Sequence, residues 1–260
     1  PAPAASAAPR PGWEEGGPDG TAAAAIGPRC PRPEGRLNRT LSAGVDVLWR
    51  RRTVKRVLAC FDRAPRVLDL CSGTGDLALA LARAGCEVVG ADFCPEMLER
   101  AVDKRRRRSP DLPFIAADAE HLPFEDASFD VATVAFGIRN VHDPRRGLEE
   151  MARVVRPGGS VFVLEFSKPR APVFGPAYLW YFRRVLPRIG RLLAPSARRH
   201  EAYDYLPESV LRFPEREDFV ALMVEAGLGD ARYELLTLGI ASLYQAQVPA
   251  ALPSTSLPLR

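Results

Sequence analysis

From Arg66 onward, short apolar runs alternate with amphipathic segments, which is the signature of stacked βαβ units around a mostly parallel sheet. The runs "RVLDL" (66–70), "EVVGAD" (87–92), "PFIAAD" (113–118), "FDVATVAF" (129–136) and "SVFVLEF" (160–166) read as strands. Between them, Asp76 to Ala84, Pro95 to Arg106 and Asp143 to Val155 read as helices. Pro95 falls where a first-turn proline is tolerated, and Pro157-Gly158-Gly159 is expected to stop the third helix before the fifth strand. Further on, "REDFVALMVEAGLGD" predicts a last helix closed by Gly227, and "ARYELLTLGIASLYQAQV" a strand pair turning near Gly239. The expectation is an α/β, Rossmann-like fold: a seven-stranded sheet with helices on both faces.

The flanks differ from this rhythm. Residues 1–36 are rich in Pro, Ala and Gly without periodicity and read as a disordered tail, with 251–260 as a second flexible end. Residues 37–250 then form a single domain, opening with one or two helices in which Leu41, Val45, Leu48, Val54, Val57 and Leu58 recur at helical intervals. Residues 168–213 are crowded with prolines and aromatics and read as a helical insertion over one end of the sheet. The five cysteines form no C-x-x-C pair and have no histidine at ligand spacing, so no metal site is expected. Their odd, scattered placement fits a reducing cytosol. No stretch approaches the roughly 20 apolar residues of a membrane span, and neither a secretory signal nor a transit peptide is evident, so any membrane contact is peripheral. The net charge is only +4, but arginines cluster, as in Arg50-Arg51-Arg52 and Arg105 to Arg108. Such runs read first as solvated helix faces, and the basic and aromatic interleaving of an RNA-binding module is lacking.

The ends of the strands carry the chemistry. The first runs into "DLCSGTGDLALA", which sets Asp69, Gly73 and Gly75 just before a helix. Glycine is needed where backbone passes close under a ligand. The same letters contain G-x-G-x-x-A, a weak dinucleotide signal. Two features favour S-adenosyl-L-methionine instead. Asp69 lies four positions ahead of Gly73, placed to meet the ligand's amino-acid moiety, whereas a dinucleotide turn brings helix N–H groups directly onto a pyrophosphate. Asp92 ends the second strand, where a carboxylate accepts from ribose hydroxyls, and Asp118 with Ala119 follows the third, beside an adenine amino group. Three acidic strand ends with no basic residue among them suit a cationic sulfonium better than a phosphate-bearing ligand. Taken singly, each aspartate reads more naturally as a turn former or helix cap.

At "FDVATVAFGIRNVHDPRRGLEEMARVVRPGGSVFVLEFSKP" the chain resembles the ubiquinone and menaquinone biosynthesis C-methyltransferases, class I enzymes that methylate a polyprenylated quinol ring. The likeness extends through "DLCSGTGD", "ADFCPEML", "DAEHLPF", "YDYLPESVLRFP" and "LTLGIASL", covering roughly Leu37 to Gln247. It implies that Arg139 and Asn140 face the quinol, Arg139 serving the deprotonation step and Asn140 holding the ring oxygen. A guanidinium stays protonated at working pH, so stabilising the developing phenolate is its more plausible task than acting as a lone base. Without the resemblance, a salt bridge to Asp143 and a turn role for Asn140 are equally good readings. His142 has no evident partner and reads as a surface residue. Thr74, Asp92, Phe93, Asp118, Ala119 and Ala135 are implied as cofactor contacts, with Ala135 standing where the family often has serine. The family's Tyr-Asp pair ahead of Asn38 is missing from "RCPRPEGRLNRT", which puts one contact with the substrate in doubt.

The resemblance further implies a polyprenyl quinol as partner and a cytoplasmic protein at the inner face of the membrane, with Arg183, Arg184, Arg188 and Arg191 meeting anionic head groups. Whether the quinol is a menaquinone or ubiquinone precursor, and whether the chain forms a homodimer, are left open. A methyltransferase of the same fold acting on another phenol or lipid is the main alternative, and an NAD-dependent oxidoreductase a weaker one.

Overall fold

The computed structural model describes residues 44–106, 112–185, 209–210 and 213–250. The two tails, Asn38, most of the 168–213 insertion, and Arg188 and Arg191 lie outside the described residues, as do the side chains of Phe182 and Arg183.

Helix α1 (Asp46–Leu58) precedes β1 (Arg66–Leu70), α2 (Asp76–Arg83), β2 (Glu87–Asp92), α3 (Pro95–Arg106), β3 (Phe114–Ala116) and β4 (Phe129–Ala135). A 3-10 turn (Ile138–Asn140), α4 (Pro144–Val154), β5 (Val155–Phe166) and α5 (Phe174–Trp180) follow. After the insertion come α6 (Glu217–Glu225), β6 (Gly229–Leu236), a 3-10 turn (Thr237–Gly239) and β7 (Ala241–Gln247). The sheet has seven strands in the order β3-β2-β1-β4-β5-β7-β6. The first five pair in parallel, and β7 lies antiparallel between β5 and β6. The seven expected strands are therefore present.

Burial on both faces explains the unbroken apolar runs: every residue of β4 from Phe129 to Val134 is buried. Along β1 the side chains alternate, so Val67 packs with Trp49, Val57, Leu77 and Leu81 of α1 and α2 on one face. Leu68 and Leu70 pack with Leu148, Met151, Phe219 and Met223 of α4 and α6 on the other. Asp69 shares the α1/α2 face by this alternation.

Two boundaries differ from expectation. The third strand is only Phe114–Ala116, because Asp118 already turns the chain, its backbone bridging His121. The fifth begins at Val155 rather than Ser160, and Pro157-Gly158-Gly159 does not separate it from the helix. The pairing with β4 slips instead, from Phe129↔Val155 to Val131↔Ser160, so the Pro-Gly-Gly stretch is a bulge. Gly159 is required there, since a Cβ would fall 2.5 Å from the Asp130 carbonyl oxygen. Helix α4 starts as the sequence predicts, with Pro144 in its first turn and the Asp143 carboxylate accepting from the N–H groups of Arg145 and Arg146.

Candidate active site

The strand order reverses between β1 and β4, and in open parallel sheets ligands bind beyond the carboxyl ends of the strands at such a point. Both strands end in strain. Cys71 after β1 (φ 50°) and Phe136 after β4 (φ 59°) adopt left-handed backbone, an unfavourable region for residues with a Cβ. The two turns touch, since a Cβ on Gly137 would lie 2.3 Å from the Cβ of Cys71.

On the β1 side, Asp69 is 1% exposed, and its Oδ1 accepts from the Thr133 hydroxyl at 2.8 Å across the β1–β4 register. Its Oδ2 is buried and has no hydrogen-bond partner among the described residues. Burial pushes the carboxyl up to about 7, against the pull of the Thr133 hydroxyl, the Ala78 backbone N–H and the Arg50 guanidinium. Apart from Thr133, the only protein donor near this carboxyl is the Ala78 backbone N–H of α2, too loosely placed to bond Oδ2, so among the described residues the group fits a ligand that brings a cationic or N–H donor of its own. That is the chemistry of a sulfonium amino acid and not of a pyrophosphate.

Asp92 spends both oxygens on backbone, accepting from Gly73 N–H at 2.7 Å and Cys94 N–H at 2.9 Å. Burial raises its carboxyl above the ordinary value, and these two bonds oppose the rise. The aspartate therefore first holds the glycine turn, and each oxygen keeps a lone pair for a hydroxyl donor. Thr74 Oγ1 accepts from Lys104 Nζ at 2.6 Å, and Lys104 also pairs with Asp76 at 3.0 Å. The strand ends themselves carry no basic residue, but α3 brings Lys104 onto the turn from thirty residues away. Gly73 and Gly75 are both left-handed, at φ 55° and 75°. Gly75 is glycine for packing, since a Cβ would lie 2.7 Å from the Phe114 ring. Phe93 is half exposed just past β2. Asp118 is half exposed, with Oδ1 closing a local turn onto Glu120 N–H at 2.9 Å, while Ala119 is buried. Ala135 ends β4, partly buried.

On the β4 side the charges are paired within the protein. Arg139 does not turn its guanidinium to solvent: the side chain is 1% exposed and Nη1 meets Glu165 Oε1 at 2.8 Å and the Phe136 carbonyl at 2.6 Å. The alternative partner Asp143 is instead the cap of α4. Glu165, the last charged residue of β5, also accepts from its neighbour's Phe166 N–H. A carboxylate buried at the end of the adjacent strand draws the guanidinium inward, because neither charge is tolerable there alone. Asn140 closes the same 3-10 turn and is partly buried. His142 is exposed, as expected.

Helix α1 completes this side. Phe136 and Phe166 pack with centroids 4.6 Å apart, and Trp49 lies against both, donating through Nε1 to Thr237 Oγ1 at 2.8 Å. Two guanidiniums cover the aromatic pair: Arg50, paired with Asp46, lies over Phe136, and Arg139 lies over Phe166. The "SKP" that follows β5 fastens the far side: Ser167 Oγ donates to the Gly239 carbonyl and accepts from Ser242, while Lys168 N–H and C=O meet Glu215 and Arg216. Glu165, Lys104, Phe114 and Trp49 were not singled out from the sequence as site residues. Only the position of Glu165 inside the "LEFSKP" motif hinted at it.

The strand order, glycine turn and acidic strand ends define a Rossmann-like class I methyltransferase fold. A SAM dependent methyltransferase from Aquifex aeolicus superposes with a TM-score of 0.57 at 17% identity, covering 82% of this chain and 97% of that one, which supports the fold. The profile of the ubiE/COQ5 methyltransferase family matches residues 34–247, and the chain belongs to that family. It is 49% identical over 216 residues to a demethylmenaquinone methyltransferase of Thermus thermophilus, covering 82% of this chain and 95% of the relative. It is 47% identical over 213 residues to a ubiquinone/menaquinone biosynthesis C-methyltransferase UbiE of a Geobacter species, covering 80% and 88%.

Proposed function

We propose that this protein transfers the methyl group of S-adenosyl-L-methionine to a ring carbon of a polyprenylated quinol, in menaquinone or ubiquinone biosynthesis. The observation that carries the donor half is the buried Oδ2 of Asp69, which awaits a donor at the switch point of the sheet. The acceptor half rests on family membership and on the relatives' names. When bound, the sulfonium supplies an activated methyl group that needs no metal, and no cluster of metal-ligating side chains occurs among the described residues.

In this assignment Asp69 and the Gly73-Thr74-Gly75 turn hold the amino-acid end of the donor. Asp92 takes the ribose, and Phe93, Asp118 and Ala119 flank the adenine. Ala135 borders the sulfonium. Arg139, its guanidinium fixed by the ion pair with Glu165, stabilises phenolate character at the ring oxygen through its N–H groups rather than through net charge, and Asn140 donates to that oxygen. Trp49, Phe136 and Phe166 form an apolar wall that excludes water and limits the ring to orientations in which its carbon meets the methyl group. Residues 37–250 act as one catalytic domain.

Incubation with methyl-labelled S-adenosyl-L-methionine and each of two acceptors, demethylmenaquinol and a ubiquinone precursor lacking its ring C-methyl group, tests the assignment. Mass spectrometry should locate label on the ring carbon of at least one. Label on neither, from protein that binds the donor, overturns the acceptor assignment. No helix among the described residues is long and apolar enough to cross a membrane. Peripheral contact at the inner face of the membrane is part of the same proposal, supported by exposed Trp180 beside Arg184 and by exposed Val173 at the start of α5. Co-sedimentation with vesicles should then depend on anionic lipid.

A further inference from the structure

The glycine turn is shaped from beneath by one face of α3. Its residues Met97, Ala101 and Lys104 recur at helical spacing (i, i+4, i+7), so they line up on a single side of the helix. Each meets one residue of the turn. A Cβ added to Gly73 would come within 3.5 Å of the Met97 methyl, and one added to Gly75 within 3.2 Å of the Ala101 methyl. Lys104 Nζ donates to the hydroxyl of Thr74, the residue between them. Met97 and Ala101 are buried, so the apolar part of this support is fixed by packing. Thr74 itself is tied most closely by the ammonium, which also pairs with Asp76 at the start of α2, and its hydroxyl donates to the same carboxylate at a longer 3.3 Å.

We infer that Lys104 is a positioning residue for the methyl donor: its ammonium, neutralised by Asp76, holds the Thr74 hydroxyl and keeps the glycine turn open to the ligand. This rests on the donor-binding role proposed above for residues 73–75. The chemistry is specific to an ammonium. One group must satisfy both a hydroxyl at 2.6 Å and a carboxylate at 3.0 Å, and it must add no net positive charge beside a cationic ligand. The second anchor of the turn is the Asp92 bond to Gly73 N–H, so loss of Lys104 leaves Thr74 with only its longer bond to Asp76, at 3.3 Å, without releasing Gly73.

The test is titration calorimetry of the full chain with S-adenosyl-L-methionine, alongside steady-state kinetics with the acceptor. For Lys104→Met, which keeps the aliphatic stem, donor Kd and donor KM should rise about tenfold, in line with loss of a charged hydrogen bond. Acceptor KM, and kcat at saturating donor, should stay within about twofold. Lys104→Arg should recover part of the affinity, and Lys104→Met should add nothing further in a Thr74→Val background. A Lys104→Met protein with a lowered Tm but unchanged donor Kd would overturn the inference, leaving Lys104 a merely structural cation. Should Lys104→Met fail to fold, Lys104→Gln provides the same comparison with a donor retained and the charge removed, and an unchanged Kd there overturns the ammonium requirement. Wild-type protein that binds no donor at all marks failure of the donor-site assignment itself, a result distinct from equal binding by wild type and variant.

Discussion

The two halves of the crevice treat charge in opposite ways. At the end of β1, Asp69 is buried with one oxygen lacking a partner among the described residues, and its carboxyl is pushed up to about 7. At the ends of β4 and β5, Arg139 and Glu165 are equally buried but neutralise each other. The first half is held in an electrostatically incomplete state that a cationic ligand completes. The second has its opposite charges paired within the protein, as would suit the uncharged, largely apolar acceptor proposed for it. Burial is similar in both, so the difference comes from which partner the neighbouring strand supplies: a threonine hydroxyl beside Asp69, a carboxylate beside Arg139.

Removing one member of the compensated pair should have the largest effect. Arg139→Met leaves Glu165 buried without its cation and should lower unfolding free energy by about 3–5 kcal/mol in denaturant titration, besides abolishing turnover. An Arg139→Met/Glu165→Met double variant should recover much of the stability and none of the activity. Equal stability of Arg139→Met and wild type would erase the contrast between the halves.

The opposite sign is expected at Asp69. Asp69→Asn should weaken S-adenosyl-L-methionine binding about 30-fold, the loss of a charge-assisted contact, while stabilising the free protein above neutral pH. The folded-state pKa lies above the unfolded value of roughly 4, so the stability contributed by the protonated form is complete below that value. It is lost as pH rises through about 7. Wild type should therefore lose stability across this window, and Asp69→Asn should not, as thermal melts at pH 5 and pH 8 would reveal. By the same linkage, donor affinity of the wild type should rise with pH and level off above about 7, because the ligand's positive charge favours the ionised carboxylate.

Two smaller effects sharpen the comparison. Gly75→Ala places a methyl against the Phe114 ring at φ 75° and should cost about 2 kcal/mol, partly relieved by Phe114→Leu. Trp49→Phe removes the hydrogen bond to Thr237 and should cost about 1 kcal/mol, with acceptor KM affected and donor Kd unchanged. A shift in donor Kd would mean that α1 serves both halves.

Much of the proposed donor half is legible in the sequence because its parts lie near one another along the chain. Asp69, the glycine turn and Asp92 fall within 24 residues and sit at strand ends that apolar periodicity marks. Even there, the function of Gly75 in accommodating Phe114, and the arrival of Lys104, needed the packing of α3 and β3. The acceptor half was legible only as a motif. "FGIRN" located Arg139, but its nearest charge, Asp143, proved to be a helix cap, and the true partner is contributed by the next strand. Trp49 and Thr237, 188 residues apart, could not have been paired by any local pattern.

What the sequence by itself determined is the alternation of strands and helices, and therefore a parallel sheet whose acidic ends converge on a glycine turn. Hydrophobic periodicity and turn residues act over a few positions, so they can be read one segment at a time. Tertiary structure alone decided which charges are cancelled and which are left to a ligand. That outcome depends on strand order, register and the low dielectric of the closed core, where a single carboxylate on the neighbouring strand holds Arg139 inward.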